Sequence, residues 1–141
     1  MSRIFFDSNL FIYLFEDEKG RGQAVARLLS RMHERRDQLV TSTMTLAEIL
    51  VRPYGQDDQN LAQRYEALLQ SPEIELVSFD PAAARRYARI RQDKSIKAPD
   101  AIQLACAAAA QTDLFISNDS SLTKNSIDGI QFVTTLDSAP L

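Results

Sequence analysis

Residues 98 to 119 read Ala98-Pro99-Asp100-Ala101-Ile102-Gln103-Leu104-Ala105-Cys106-Ala107-Ala108-Ala109-Ala110-Gln111-Thr112-Asp113-Leu114-Phe115-Ile116-Ser117-Asn118-Asp119. Pro99-Asp100 has the chemistry of a helix start, with proline in the first turn and an acid at the positive end of the helix dipole. The alanine-rich run beyond it predicts a helix to about Gln111, and the apolar Leu114 to Ser117 predicts a short buried strand. In a parallel sheet, the helix that feeds a strand runs antiparallel to it. The start of this helix and the end of this strand therefore lie on one edge of the sheet, and Asp100 and Asp119 share it.

Outward from this unit the same alternation recurs. Arg3 to Phe6, Leu39 to Thr41, Ile74 to Phe79 and Gln131 to Thr134 are apolar or β-branched runs bounded by polar residues, and each predicts a strand. Two helices are expected from Leu10 to Arg36, broken near Lys19-Gly20-Arg21-Gly22. Val25, Leu28, Leu29 and Met32 form the apolar face of the second. Thr45 to Val51 and Leu61 to Leu69 read as helices separated by the breaker Pro53-Tyr54-Gly55, and Asp80-Pro81 opens another. Strands alternating with helices imply an α/β fold: a three-layer α/β/α domain with a central, mainly parallel five-stranded sheet. The direction of the fifth strand is left open, because the connection from Ser120 to Ile130 is short and polar.

The chain has 141 residues and a formal net charge of −3. One domain, residues 1 to 141, is the expectation, and a chain of this size buries roughly 68–70% of its unfolded surface. Cys106 is the sole cysteine and no basic-then-apolar leader opens the chain, which together point to the cytoplasm. The apolar runs Leu10 to Phe15 and Leu104 to Ala110 fall far short of the ~20 residues that span a bilayer, so no membrane segment is expected. A pI near 5.1 disfavours wrapping of duplex DNA by bulk charge but leaves room for a local basic groove.

Two more acids join the edge. Asp7 follows the first strand directly, and Glu48 lies in the first turn of the helix leaving the second strand. Asp7, Glu48, Asp100 and Asp119 then converge where open α/β sheets bind ligands. Carboxylates crowded in a partly desolvated cleft need protons or a cation to neutralise them. Hard oxygen donors with no His or Cys beside them suit Mg²⁺ or Mn²⁺, whose chemistry on phosphate is in-line displacement by water. Taken singly, each acid has a plainer role. Glu48 completes a capping box with Thr45, Asp100 complements the helix dipole, and Asp7 and Asp119 can form turns. Those separate roles do not explain the shared edge. Asn9, Ser117 and Asn118 are the small polar neighbours that orient such carboxylates.

The segments Ile4-Phe5-Phe6-Asp7-Ser8-Asn9, Thr45-Leu46-Ala47-Glu48-Ile49, Ala98 to Ala105 and Leu114 to Asp119 together resemble the PIN domain. More narrowly, the chain is similar to the VapC toxins of type II toxin–antitoxin modules, over about Arg3 to Leu136. The resemblance implies a metal-dependent endoribonuclease in which Asp7, Glu48, Asp100 and Asp119 match the acidic quartet, hydrolysing RNA to 5′-phosphate and 3′-hydroxyl ends. It also implies a cognate VapB-like antitoxin and a homodimer. After Asp119, Ser120-Ser121-Leu122 lacks the further acid that some relatives carry, which bears on a second metal more than on the first. Arg91, Lys94 and Lys97 end the basic run from Arg85 just before Asp100 and are candidates to steer the RNA backbone toward the acids.

Other readings are weaker. Gly20-Arg21-Gly22 lacks the third glycine of a nucleotide loop and follows no strand. A receiver-like phosphoacceptor domain would carry adjacent acids after the first strand, where Phe6-Asp7-Ser8 offers one. A catalytically weak RNA- or protein-binding module and a metal-dependent phosphatase remain as alternatives. His33 sits on a charged helix end and reads as a surface residue, and Cys106 as a small buried hydrophobe.

Overall fold

The computed structural model describes residues 1–17 and 20–141. Chain order is β1 (Arg3–Phe6), α1 (Ser8–Glu16), α2 (Gly22–Arg35), β2 (Gln38–Ser42), α3 (Thr43–Gly55), α4 (Gln59–Leu69), β3 (Ile74–Val77), α5 (Pro81–Ile90), α6 (Ala98–Ala109), β4 (Thr112–Ile116) and β5 (Ile130–Thr134), with a 3-10 helix at Ser120–Lys124. The break expected between the first two helices begins at Lys19, which lies outside the described residues.

Ile4, Phe5 and Phe6 carry no polar side chain, and a strand apolar on both faces belongs at the centre of a covered sheet. β1 holds that place in a five-stranded sheet of order β3-β2-β1-β4-β5. Every pairing is parallel, β4 with β5 included. The direction of β5 is thereby settled: residues 117–129, with the 3-10 helix, carry the chain back to the starting edge. This strand order also differs from the 2-1-3-4-5 order of receiver-like folds.

Period-two alternation divides the core. Ile4 and Phe6, with Leu114 and Ile116 beside them, pack under α1 to α4 together with Phe11 and Tyr65. Phe5 and Phe115, paired in register, face the opposite layer with Leu104 and Ala101. Their rings stack at 5.0 Å with an interplanar angle of 6°. Ala101, Ala105, Ala107 and Ala108 of α6 are fully buried, and their small side chains let the helix pack closely between the sheet and α5 at these positions. Cys106 is buried among them, as its surroundings predict.

Two local expectations are corrected. Pro53 does not end the third helical segment; α3 runs on through it to Gly55. A proline in the last turn removes one intrahelical bond while its fixed φ still suits a helix, and Pro53 is buried. The third strand stops at Val77 rather than Phe79, because its one neighbour, β2, ends at Ser42 opposite Val77. Phe79 instead is part-exposed and meets Tyr87 edge-on at 5.8 Å. Among the described residues, no helix is long and apolar enough to cross a membrane.

Phe5→Ala would remove one ring of the central stack and leave a cavity that the rigid sheet cannot close. It is expected to lower unfolding stability by about 3–5 kcal/mol in urea titrations, and a loss below about 1 kcal/mol would contradict this packing.

Candidate active site

Asp7 is the first residue beyond β1 and caps α1. Its Oδ1 accepts from the Ser8 backbone N–H at 2.8 Å and its Oδ2 accepts from Ser117 Oγ at 2.7 Å, while its own N–H donates to Ile116 O at 3.0 Å. The ends of β1 and β4 are thus tied through one carboxylate that is only 8% exposed.

Glu48 lies in the second turn of α3, not the first. The cap of α3 is Ser42, whose Oγ accepts from Thr45 N at 3.2 Å. The capping box anticipated between Thr45 and Glu48 therefore does not form, since the helix starts two residues before Thr45. Instead, Glu48 Oε1 accepts from Ser8 Oγ at 2.6 Å. Asp100, in the first turn of α6, is half-buried. Asp119 is exposed and caps the 3-10 helix, its Oδ1 accepting from Ser121 N at 3.0 Å and Ser121 Oγ at 2.6 Å. Its N–H donates to Ser117 Oγ at 3.1 Å. Asn9 Oδ1 accepts from Asn118 N at 3.4 Å, a weak link between the same two chain segments.

Gln103 joins this set, although the sequence reading passed over it. One turn beyond Asp100 and 2% exposed, its Nε2 lies 2.7 Å from Thr45 Oγ1, 3.2 Å from Ser8 Oγ and 3.4 Å from both Asp7 Oδ1 and Glu48 Oε1. Two N–H bonds cannot satisfy four acceptors fully, so Thr45 takes the closest contact and the others share the remainder. Its Oε1 accepts from Ser42 Oγ. Thr45 Oγ1 in turn lies 2.9 Å from Thr41 Oγ1, which donates to Phe6 O at 2.9 Å. The available signal was a long polar side chain in a run otherwise apolar from Ala101 to Ala110. Ser8, Ser42 and Thr45 carried no such contrast.

Of the basic residues expected to steer RNA, Lys94 and Lys97 are exposed, and the charge of Lys97 favours ionisation of Asp100. Arg91 is half-buried and donates from Nη1 to Ile96 O at 2.7 Å, so part of its guanidinium holds the turn between α5 and α6. His33 is exposed, as expected.

Burial pushes the Asp7 carboxyl above its ordinary range, against the hydrogen bonds from Ser117, Ser8 and Gln103 and with the Asp119 charge adding to the rise. Glu48 is raised by burial, opposed by its bond from Ser8 and reinforced by the charges of Asp7 and Asp100. Asp100 is raised by burial and by Asp7 and Asp119. Among the described residues, no three His, Cys, Asp or Glu side chains stand close enough together to hold an ion. The donor set nevertheless fits a hard divalent cation: it is all oxygen, and burial and neighbouring acids disfavour the ionised forms of Asp7, Glu48 and Asp100.

A carboxyl whose pKa is raised on folding is more easily accommodated protonated, so its ionisation weakens the fold. The penalty is absent below its ordinary pKa of about 4 and complete above the raised value. Asp7→Asn is therefore expected to unfold at higher urea than the parent at pH 7.5 in EDTA, with the gap closing as the pH falls toward about 4. A variant less stable than the parent at pH 7.5 would contradict this assignment of the buried charge.

The PIN domain family model matches residues 4–127. VapBC2 from Rickettsia felis, bound to a DNA fragment from its promoter, superposes with a TM-score of 0.69 at 14% identity, covering 94% of this chain and 98% of that one. A toxin–antitoxin complex from Klebsiella pneumoniae gives 0.68 at 24% identity, covering 90% and 94%. Mycobacterium tuberculosis VapC20, a sarcin–ricin-loop-cleaving toxin, gives 0.68 at 15% identity, covering 89% and 97%. No curated protein sequence matches the chain. At these identities the structural likeness is one of fold, while the family model spans most of the chain and contains Asp7, Glu48, Asp100 and Asp119. The chain belongs to the PIN domain family.

Proposed function

We propose that this chain is a VapC-like toxin, a Mg²⁺- or Mn²⁺-dependent endoribonuclease restrained by a cognate VapB-like antitoxin. The observation that carries this reading is that acids from four distant segments lie at the carboxyl edge of one parallel sheet, three of them with carboxyls raised by burial and by one another. A binding surface has no use for that concentration of suppressed negative charge, whereas a cation-assisted hydrolase does. The solved structures that resemble it include toxin–antitoxin complexes and a loop-cleaving toxin, which agrees with this class.

Asp7, Asp100 and Asp119 would hold the ion, with Glu48 as a further ligand or as the group that orients the attacking water. When bound, such an ion activates water and stabilises charge on the phosphate. Asp7 is denied rotation by its bonds on both oxygens, so its donor atoms are set before substrate arrives. Glu48 is held through Oε1 by Ser8, leaving Oε2 to accept a proton, and its raised pKa brings it toward the range of a useful base. Gln103 is a positioning residue: its amide holds Ser8 and Thr45 and, through them, the approach of α3 to α1. Water as nucleophile leaves 5′-phosphate and 3′-hydroxyl ends and needs no 2′-hydroxyl. Val51 and Tyr54, one turn apart on α3 and 71% and 66% exposed, offer apolar surface for an antitoxin or a second copy of the chain.

The test is cleavage of a mixed structured-RNA pool by partner-free protein in Mg²⁺, Mn²⁺ or EDTA. Discrete metal-dependent products with 5′-phosphate ends are expected, absent for Asp7→Ala/Asp100→Ala. Asp100→Asn should lower kcat about 10²-fold or more while RNA binding persists. RNA binding indifferent to metal, with no cleavage and no effect of Asp100→Asn, would replace this reading with that of a binding module. Gln103→Ala should lower kcat by about 10-fold or more through misplaced carboxylates, with KM little changed; a change in KM alone would assign Gln103 to substrate binding.

A further inference from the structure

The basic run from Arg85 to Lys97 divides between two tasks. Arg86, Arg89, Ile90, Asp93 and Ile96 line one wall of a cavity of about 370 Å³, and residues 124–128, from the last residue of the 3-10 helix onward, form the other. Arg86 Nη1 donates to Asp128 O at 2.7 Å and so bridges the walls, while Arg91 holds the turn before Ile96. The cavity is therefore built by side-chain clamps on backbone carbonyls, and its volume lies in the range of small-ligand sites.

Its lining has three chemistries. Arg86, Arg89 and Lys124 supply positive charge. Ile90, Ile96 and Ile127 supply an apolar wall. Asp93 and Asp128 supply acceptors, Asp93 being held ionised by Ser95, whose N–H and Oγ donate to its Oδ1 at 3.0 and 2.6 Å. A free anion would use the cations alone and be repelled by the acids, and an acidic peptide side chain would leave the isoleucines unmatched. A unit with a charged phosphate, an apolar ring face and amine-bearing edges uses all three. Carboxylates accept from exocyclic base amines, and unpaired bases splayed from a strand are what proteins read in RNA.

The placement agrees at one end of the cavity. Ile96 leads through Lys97 into α6 and Asp100, and Lys124 closes the 3-10 helix that Asp119 caps. At ~2.0 Å per residue that helix spans about 10 Å, so the end of the cavity at Ile96 and Lys124 opens toward the acidic edge, while its other end, at Arg86 and Asp128, lies with Gly129 beside Ala108 near the close of α6.

We propose that this cavity binds one unpaired nucleotide of the RNA strand flanking the cleavage site, with Arg89 and Lys124 on its phosphate and Ile90, Ile96 and Ile127 against its base. The proposal rests on the ribonuclease reading above and names a substrate subsite for it. Arg89→Ala/Lys124→Ala is the informative variant, because neither side chain makes a hydrogen bond or ion pair among those of the described residues. Fluorescence anisotropy with a labelled single-stranded RNA 12-mer, in the Asp100→Asn background to prevent turnover, is expected to show about tenfold weaker binding. The slope of log affinity against log salt should fall by about 1. Titration of the isotope-labelled chain with nucleoside 5′-monophosphates should shift the amide resonances of Ile90, Ile96 and Ile127, and inorganic phosphate should do so far more weakly. Unchanged RNA affinity and salt slope, or equal shifts with phosphate alone, would overturn the proposal. If the parent chain cleaves RNA while the double variant binds it unchanged, the subsite fails and the nuclease stands. If nucleotides occupy the cavity but the parent cleaves nothing in any metal, the nuclease reading fails instead.

Discussion

The buried amide of Gln103 is the contact on which the geometry of the acidic edge turns. α6 reaches across the sheet with a single long polar side chain, and that side chain meets Ser8 of α1 and Ser42 and Thr45 at the start of α3. Asp7 and Glu48 then take the weaker share of the same N–H groups at 3.4 Å. A buried amide without partners is expensive, so the three elements are compelled to meet at this point and in this orientation. The alanines around it help the meeting, since Ala101, Ala105, Ala107 and Ala108 are fully buried and let α6 pack close.

Around that node the fold keeps carboxyls where they are poorly solvated. Each hydrogen bond to Asp7 recovers part of what burial removes, yet its carboxyl stays raised. The rest of the molecule has to supply the stability this arrangement withdraws. It does so through apolar layers on both faces of the sheet, with stacked Phe5 and Phe115 on one side and Phe6, Phe11 and Tyr65 on the other. Such sites are where a domain gives up stability for a geometry it needs.

Charge is used locally in the same way. The chain is acidic overall, and its cations are not spread evenly. Arg86 and Arg91 lie in one basic run, but their guanidiniums are engaged by backbone carbonyls, Arg86 reaching Asp128 beyond the 3-10 helix and Arg91 holding the turn between α5 and α6. Lys97 stands by Asp100 and favours its ionised form. A run of like charges in sequence thus becomes scaffolding at some positions and exposed surface charge at others, according to which carbonyls the fold brings near.

The sequence by itself determined the alternation of strands and helices, the parallel sheet that follows from it, and the edge on which Asp7, Glu48, Asp100 and Asp119 fall. These are legible because apolar periodicity and helix starts are local signals, and because a parallel sheet sends every strand's carboxyl end the same way. Tertiary structure alone decided the rest. The start of α3 at Thr43 depends on Ser42, whose hydroxyl also meets Gln103 from another helix, so the turn on which Glu48 sits could not be read from Thr45-Leu46-Ala47-Glu48. The end of β3 depends on the length of β2, the survival of α3 through Pro53 on the packing that buries it, and the direction of β5 on the crossover beside β4. Gln103 was visible as an anomaly in an apolar helix, but its partners lie 55 to 96 residues away in the chain. Hydrogen bonds across such separations leave no periodic trace, because they are chosen by which backbone segments the sheet places side by side.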